Sequence, residues 1–392
     1  MDSAAAKQRV DWTAITAGVA LSYAVFLAAM FAAHWWLRAA DGTPIANDFV
    51  DVFAAGHLAA AGHAASAYDW NIHRAEEVSV IGHGFSGYYG WHYPPPFLFV
   101  AVLLSALPYF ASFLFWILGT LAPFAFAVSR IAQKRAALLW VMAFPAVLLN
   151  AYVGQNGFFT AALFGAALLS LKDRPILSGV FIGLLTYKPQ FGLTIPIALL
   201  AGSHWRALAS ATGTAALIAT LSLLAFGAET WTAFFQSIPH TTQMILAGGQ
   251  AGWNKLQTVY GFARWIGAGD AAAWTWQIGV AALLALGIAL MWHSRMPLAL
   301  KASALCAATL LATPYAYIYD FPLLAVSIAF LYRHRAFDDR EAITLLGAAA
   351  LIAAFPWLDA PVGLAATLLV ASLVSRRGRK LFAAGDVALQ HA

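Results

Sequence analysis

The chain has 392 residues, of which 62% are hydrophobic and only 10% are charged, and its mean hydropathy is +0.73. Such a chain has too few polar side chains to cover a core of this size in water, so a soluble globular protein is excluded. Its formal net charge of +5 calls for no nucleic-acid partner, because membrane orientation explains the excess of basic residues.

Apolar runs long enough to cross a bilayer recur along the chain and predict an all-α polytopic membrane protein. The clearest predicted spans cover residues 12–37, 136–153, 157–171, 206–226, 271–292, 297–313, 340–355 and 361–374. Residues 97–128 contain Pro108 and fit one broken crossing or two, whereas residues 175–202 fit one kinked crossing or a short hairpin. Counting residues 97–128 as one crossing and residues 175–202 as two predicts about twelve crossings, within the range 11–13. They form one transmembrane domain over residues 1–380, followed by a short cytoplasmic tail, 381–392.

The distribution of Lys and Arg predicts the orientation. Of the 22 basic residues, 17 fall at the N-terminus (Lys7 and Arg9), in short loops between predicted spans, and near the C-terminus. The positive-inside rule makes this side cytoplasmic, with both termini on it. The first apolar run is too long for a signal-peptide core, so we expect an uncleaved first helix. The opposite side carries a first outer loop, residues 38–95, and a second outer loop, residues 227–270, in which we expect interfacial helices.

Two acidic residues open the candidate site in the first outer loop. Asp48 and Asp51 are three residues apart, a spacing that places side chains on one face of a helix beginning near Asn47. Such a helix would bring both carboxylates close to the membrane surface, just beyond the first predicted span. The alternative is that both are helix-start residues favoured by the helix dipole.

The end of the first outer loop and the following helix turn add uncharged groups. His92 and Tyr93 lie in YYGWHYPPPF, and Gln155 and Asn156 lie in NAYVGQNGFF. They are candidates for substrate binding. The alternatives are an aromatic belt at the interface for the first pair and satisfaction of backbone groups for the second.

Two charged groups occur within strongly apolar segments. Lys188 lies in LLTYKPQFG, where a lysine is costly and therefore a functional candidate whose natural partner is an anion such as phosphate. The alternative is a lysine that reaches to the interface. Tyr319 and Asp320, in LATPYAYIYDFPLL, suit a polar substrate such as a sugar ring, and they would also suit an ordinary turn.

Taken in order, these motifs resemble a known family. The series NDF…AAGHLAAAGHAASAYDW…YPPPF…GQNGFF…GLLTYKPQ…HWRA…TPYAYIYDFPLL, from about Asp48 to Leu324, resembles glycosyltransferase family 87, a GT-C class family also described as a domain of unknown function. The resemblance implies a GT-C-like helical bundle in a bacterial inner membrane. It further implies transfer of a hexosyl or pentosyl unit from a polyprenyl-phosphate sugar to a glycan or lipid acceptor on the periplasmic face.

The resemblance also implies residue roles. The catalytic acidic residue of the family lies in a motif like "sDF", which places it at Asp48 as the general base, with Asp51 as a neighbour that tunes it or holds the acceptor. A cation should stabilise the phosphate leaving group. Lys188 is the first candidate, and behind it are Arg74, Lys255 and Arg264.

One departure from the family pattern concerns the late segment. Actinobacterial mannosyltransferases of the family carry histidines in "SPxSWxHH", whereas TPYAYIYD here places Tyr319 and Asp320 at those positions. The histidine role and a mannosyl donor are therefore not implied, and Asp320 becomes a candidate for binding sugar hydroxyls. No metal-ligand spacing is visible, so we expect neither an obligatory metal nor a cofactor.

The competing hypothesis is a transporter or flippase for a polyprenyl-linked lipid, which would also use intramembrane lysine, amides and a helix-turn aspartate. Such proteins commonly show two-fold internal repeats, and none is visible. A structural membrane subunit would not require polar motifs on one face. The enzyme predicts that Asp48, Lys188 and Asp320 surround one cavity.

Overall fold

The computed structural model describes residues 12–87, 89–383 and 385. Lys7, Arg9 and most of the tail 381–392 lie outside this part of the chain. About 76% of the structure is helical, and the described residues contain no β-strand beyond one isolated bridge between Arg38 and Pro44. The predicted all-α class is therefore confirmed.

Seventeen α-helices follow one another through the described residues. They are α1 Trp12–Ala32, α2 Phe49–Ala60, α3 Trp70–Ile81, α4 Leu98–Ser105, α5 Tyr109–Ala132, α6 Ala137–Met142, α7 Pro145–Val153, α8 Gly157–Ser170, α9 Pro175–Leu184, α10 Ile195–Ala201, α11 Trp205–Thr241, α12 Val259–Trp265, α13 Asp270–His293, α14 Leu298–Ala312, α15 Pro322–His334, α16 Asp339–Ala353 and α17 Val362–Ala383. Short 3₁₀ turns cover Ala64–Tyr68, Pro95–Phe97, Leu185–Tyr187, Pro189–Gly192, Trp253–Lys255 and Ile318–Asp320, and a π-helical turn covers Thr242–Ala247.

Four helical segments of the described chain are long and apolar enough to cross a membrane unaided: α1, α5, α13 and the continuous stretch Trp205–Ala247. The other apolar helices are shorter, because prolines begin new helices at Pro145, Pro175 and Pro322. Several apolar helices fit a membrane protein, but the expected count of about twelve crossings is not confirmed by these lengths.

Pro108 divides the ambiguous segment 97–128 into one long helix and one short one. The short helix α4 packs closely on α2, where a Cβ on Gly56 would lie 2.1 Å from the carbonyl oxygen of Ala101. Helix α4 therefore belongs structurally with the first outer loop, and α5 supplies the single long helix of this segment.

Residues 175–202 form the hairpin rather than the kinked crossing. The hydroxyl of Ser210 donates to the carbonyl of Ile176 at 2.8 Å, and Gly183 lies against Thr214, so α9 and α11 run parallel. Helix α10 returns to the start of α11 through a short turn at residues 202–204. Because α9 rises only about 15 Å, the apex of this hairpin lies within the bundle. That apex carries Lys188.

The two outer loops pack against each other. The second outer loop begins at the kink of α11, where Gly227 has a φ of 80°. Beyond the kink, the ring of Phe234 lies 5.8 Å from that of Tyr68, and Thr241 Oγ1 lies 3.0 Å from His92 Nδ1. Helices are present in both loops, as α2 and α3 in the first and α12 in the second.

Candidate active site

Asp48 stands immediately before α2 and leaves its carboxylate unused by the helix. The side-chain oxygen of Asn47 accepts from the backbone amide of Phe49 at 3.0 Å, whereas Asp48 makes no capping hydrogen bond. The next residues, Phe49 and Val50, are fully buried and fix the position of the turn. A helix-start role therefore accounts for Asn47 better than for Asp48.

A cavity of about 140 Å³ lies beside the Asp48 carboxyl group. Its lining residues come from the end of α1, the turn before α2, the end of the first outer loop and the end of α7: Trp35, Trp36, Ile45, Ala46, Asn47, Asp48, Tyr89, Tyr152 and Val153. Burial raises the pKa of Asp48 to about 6, while a hydrogen bond from Gln155 and the charge of Lys255 oppose that rise. Asp48 is thus ionised at neutral pH and in reach of a ligand.

The predicted polar residues Tyr93, Gln155 and Asn156 are brought together next to Asp48. The Asn156 amide nitrogen donates to the Tyr93 hydroxyl at 2.7 Å, and that hydroxyl donates to Gln155 Oε1 at 3.1 Å. Since its oxygen is occupied in this way, Gln155 presents its NH₂ group to the Asp48 carboxylate. The two amides and the Tyr93 hydroxyl thus form a chain of side-chain hydrogen bonds, and Gln155, at its end, favours the ionised form of Asp48.

Asp51 does not share the surroundings of Asp48. Only 4% of it is exposed, and its Oδ1 lies 3.4 Å from Nε2 of His73, which also lies 3.5 Å from Glu77 Oε1. Burial disfavours the imidazolium form of His73, but the two facing carboxylates outweigh burial and raise its pKa to about 9. Asp51 is thus part of a buried cluster of ionisable side chains that does not line the cavity.

Arg74 completes this buried cluster. Its guanidinium donates to Glu77 Oε2 at 3.1 Å and to the carbonyl of Phe85, over whose ring it stacks at 3.8 Å. Arg74 is therefore occupied and poorly placed to receive a phosphate. Glu77 is absent from the sequence-based candidates, although its spacing of four residues from His73 on one helix is a signal that could have found it.

Lys188 and Asp320 form a buried ion pair. Each is 3% exposed, and the second oxygen of Asp320 accepts from the backbone amide of Tyr317 at 3.0 Å. The ammonium group also lies 5.4 Å from the ring centre of Tyr319. The anion that meets Lys188 in the structure is thus the Asp320 carboxylate. The structure does not place Lys188 at an interface.

The Lys188–Asp320 pair and Asp48 are neighbours in the fold without sharing the cavity. The rings of Tyr93 and Tyr187 lie 6.2 Å apart, which links the Asp48 side to the hairpin apex. The start of α8 packs on the turn that carries Asp320, since a Cβ on Gly157 would lie 1.7 Å from the carbonyl oxygen of Tyr319. Neither Lys188 nor Asp320 lines the 140 Å³ cavity, so that cavity does not unite all three predicted residues.

The remaining candidates differ in availability. Arg264 donates to the carbonyls of Ala268 and Ala247 at 3.1 and 3.0 Å, and stacks over Trp253 at 4.3 Å. Lys255 is exposed, and its ammonium group makes no ion pair within the described part of the chain. Burial lowers the pKa of His92 to about 3, so this ring is neutral. Across the described residues, no cluster of His, Cys, Asp and Glu is arranged to hold a metal ion.

Comparison with known proteins identifies the family. Residues 91–314, more than half of the chain, match the family model described as glycosyltransferase family 87. The chain belongs to glycosyltransferase family 87. The match is narrower than the resemblance from about Asp48 to Leu324. It includes Tyr93, Gln155, Lys188 and Lys255 but neither Asp48 nor Asp320. No curated protein and no solved structure matches the chain.

Family 87 membership, together with the apolar helices, makes the protein a membrane glycosyltransferase. A glycosyltransferase binds a sugar donor and an acceptor, whereas a structural subunit would bind neither. Family membership likewise favours the enzyme over the lipid transporter.

Proposed function

We propose that this family 87 member transfers a hexosyl or pentosyl unit from a polyprenyl-phosphate sugar to a lipid or glycan acceptor, with Asp48 as the general base. The observation that carries the proposal is the Asp48 carboxylate itself. It makes no capping hydrogen bond to α2, a hydrogen bond from Gln155 favours its ionised form, and its residue lines a cavity. This is the arrangement that a base needs in order to meet an acceptor hydroxyl.

The proposed step is a displacement at the anomeric carbon. Asp48 takes the proton of the acceptor hydroxyl, whose oxygen forms a bond to the anomeric carbon of the donor sugar. The bond from that carbon to the phosphate oxygen breaks, and the phosphate leaves with its electron pair. No metal or cofactor is required in this scheme, since a protein cation can stabilise the departing phosphate.

We propose Lys255 as the cation that stabilises this phosphate. It is exposed, and its charge acts on Asp48. Gln257 fixes the backbone beside it, since the Gln257 amide nitrogen donates to the carbonyl of Lys255 at 3.0 Å. The three other candidates are bound to carboxylates or carbonyls inside the protein: Lys188, Arg74 and Arg264.

The orientation follows from the charges. The Asp48 turn and Lys255 lie in the two outer loops, opposite the short basic loops that the positive-inside rule assigns to the cytoplasm. We therefore propose a bacterial inner-membrane enzyme with both termini cytoplasmic and its reaction on the periplasmic face.

The pH dependence of transfer should report the ionisation of Asp48. Because the base must be deprotonated and its pKa is raised to about 6, kcat/KM should fall about tenfold for each pH unit below 6 and level off above ~7. Lys255→Met should raise this apparent pKa, since it removes a charge that favours the carboxylate, and should lower kcat by about 10- to 100-fold. The measurement is a profile of kcat/KM from about pH 4.5 to 8.

Lys255→Arg is the matched control for that profile, since it keeps the charge and should keep the wild-type midpoint. A midpoint that does not move in Lys255→Met would show that Lys255 does not act on the base.

The reaction class is tested with purified protein, a panel of labelled polyprenyl-phosphate sugars and a native lipid extract as the acceptor source. Transfer of label to a new product from one donor would support the proposal and identify the sugar. If folded protein binds the carrier lipid, transfers label from no donor and instead moves the lipid between vesicle leaflets, the transporter is the correct description.

A further inference from the structure

We propose that a second cavity, between α13, α14 and α17, binds one anionic phospholipid. The cavity holds about 430 Å³, within the ~300–1,000 Å³ range of small-molecule sites, and it shares no lining residue with the cavity beside Asp48. The binding does not depend on the proposed reaction. Only the assignment of this site to the cytoplasmic leaflet rests on the proposed orientation.

The cavity is a groove with hydrocarbon walls. Helix α14 packs against both α13 and α17, and the cavity lies between these two flanking helices. Three small residues of α14 leave space along its floor: Ala304, Ala307 and Ala308. On α13, a Cβ added to Gly287 would meet no atom within 4 Å, and Leu283 is 71% exposed. The groove is therefore open to the bilayer and has room for an acyl chain.

One end of the groove carries a positive charge. The polar residues of the lining are Ser375 and Arg379, and both are exposed. Arg379 makes no hydrogen bond and no ion pair within the described part of the chain. The three helices together contain one acidic residue, Asp270, which lies at the opposite end of α13. A guanidinium without a counter-charge at the end of an apolar groove matches a phosphate headgroup joined to acyl chains.

Arg379 differs from two other arginines of α17. Arg376 donates to Asp338 Oδ2 at 3.2 Å, and Arg377 donates to Glu341 Oε2 at 2.6 Å. Both carboxylates belong to the first turn of α16, so these two guanidinium groups hold α16 against α17. Arg379 has no such task and is free to meet an anion from outside the protein.

A second cation lies near the same end of the groove. Arg295 is exposed in the turn between α13 and α14, next to Met296. This turn packs on α17, since a Cβ on Gly378 would lie 3.4 Å from Cε of Met296. Basic groups between helices at the cytoplasmic side of a membrane are typical of sites for anionic headgroups.

The groove is distant from the proposed site of the carrier phosphate. The amide of Gly363, at the start of α17, donates to the side chain of Gln257 at 2.7 Å, and Gln257 is two residues after Lys255. Arg379 lies sixteen residues after Gly363 on the same helix, which is about 24 Å at the ~1.5 Å rise per residue. A carrier whose phosphate lies near Lys255 would bring only its hydrocarbon chain to Arg379. The free guanidinium therefore favours a phospholipid as the occupant.

The first test measures headgroup preference. Dioleoyl phosphatidylglycerol and zwitterionic dioleoyl phosphatidylcholine are titrated into delipidated protein in detergent, and bound lipids are counted by native mass spectrometry. Wild type should bind one phosphatidylglycerol about fivefold more tightly than phosphatidylcholine, and Arg379→Gln should remove this preference. Lys380→Gln is the matched control, because it makes a similar change at an adjacent exposed residue outside the lining, and it should keep the preference.

The second test fills the groove. Gly287→Phe places a ring in the cavity and should weaken the binding of both lipids about tenfold, because the acyl chain loses its space. Gly279→Phe is the matched control, since Gly279 lies eight residues earlier on α13, outside the lining, and should leave binding unchanged. A Cβ on either glycine meets nothing within 4 Å, so both variants should fold, which thermal unfolding in detergent checks.

Four outcomes would overturn the proposal. Equal affinity of the wild type for the two phospholipids would remove the anionic headgroup, and an undiminished preference in Arg379→Gln would remove the role of that residue. Undiminished binding in Gly287→Phe would place the lipid outside the groove. A polyprenyl phosphate that displaces phosphatidylglycerol at a lower concentration would assign the groove to the carrier. None of these measurements depends on sugar transfer, so the proposed function stands or fails separately.

Discussion

Asp48→Asn is expected to lower the rate of sugar transfer by about 10²- to 10⁴-fold while leaving the protein folded. Asparagine has nearly the same shape but cannot accept the proton of the acceptor hydroxyl. The carboxylate caps no helix and the residue is only partly buried, so the fold does not depend on its charge. The measurement is the initial rate of label transfer above the pKa of the base, with thermal unfolding in detergent as the check of folding.

Asp51→Asn is the matched control, because it makes the same chemical change three residues away. Asp51 lies in the buried cluster with His73, so its loss should reduce stability more than the chemical step. If Asp48→Asn turns over at the wild-type rate, Asp48 is not the base. If Asp51→Asn alone abolishes transfer in folded protein, that role belongs to Asp51.

Asp320→Asn should destabilise the protein by about 3–5 kcal/mol, because it leaves the Lys188 ammonium buried without its counter-charge. Lys188→Met should also destabilise the protein, since it leaves the Asp320 carboxylate buried without its counter-charge. The double variant should lose much less than the sum of the two single changes, because neither charge is then left unpaired. Denaturant unfolding in detergent micelles measures all three free energies of unfolding.

The same variants separate an ion pair from a phosphate site. If Lys188 binds the donor phosphate, Lys188→Met will raise the donor KM with little change in stability, and the effects of the two single variants will simply add. Additive losses would therefore contradict the structural pairing and return Lys188 to the first place among the phosphate candidates.

The polar motifs of the sequence include Tyr93, Gln155 and Asn156, which the structure links to one another by hydrogen bonds. They predict one cavity around Asp48, Lys188 and Asp320, which the cavity lining does not show, and they do not predict the partners of the buried charges. The energetic cost of a charged side chain in an apolar segment marks Lys188 as unusual. Its partner, however, lies 132 residues away and cannot be found from local spacing.

The spacing of Asp48 and Asp51 predicts one shared helical face. Asp48 is the N-cap of α2 and has helical backbone angles, with φ −58° and ψ −19°. Its side chain nevertheless lines the cavity, whereas that of Asp51 is buried beside His73, and the spacing alone does not predict this difference.

The helix count illustrates a different limit. Hydropathy finds apolar segments, but it does not show where a chain turns back inside the bundle. The hairpin of α9 and α10 depends on packing against α11, through Gly179 and Gly183, whose missing side chains let the backbones approach. Such close approaches become visible only when both helices are placed.

The second outer loop has a consequence for the order in which the protein matures. Gln257 is held by its backbone amide, which donates to the carbonyl of Ala316 at 2.9 Å, and by its side-chain oxygen, which accepts from the amide of Gly363 at 2.7 Å. The backbone two residues after Lys255 is therefore fixed only when the last helix has packed against it. If Asp48 and Lys255 act as proposed, we expect a chain that lacks its last helix to transfer no sugar, because it has the base without a fixed cation.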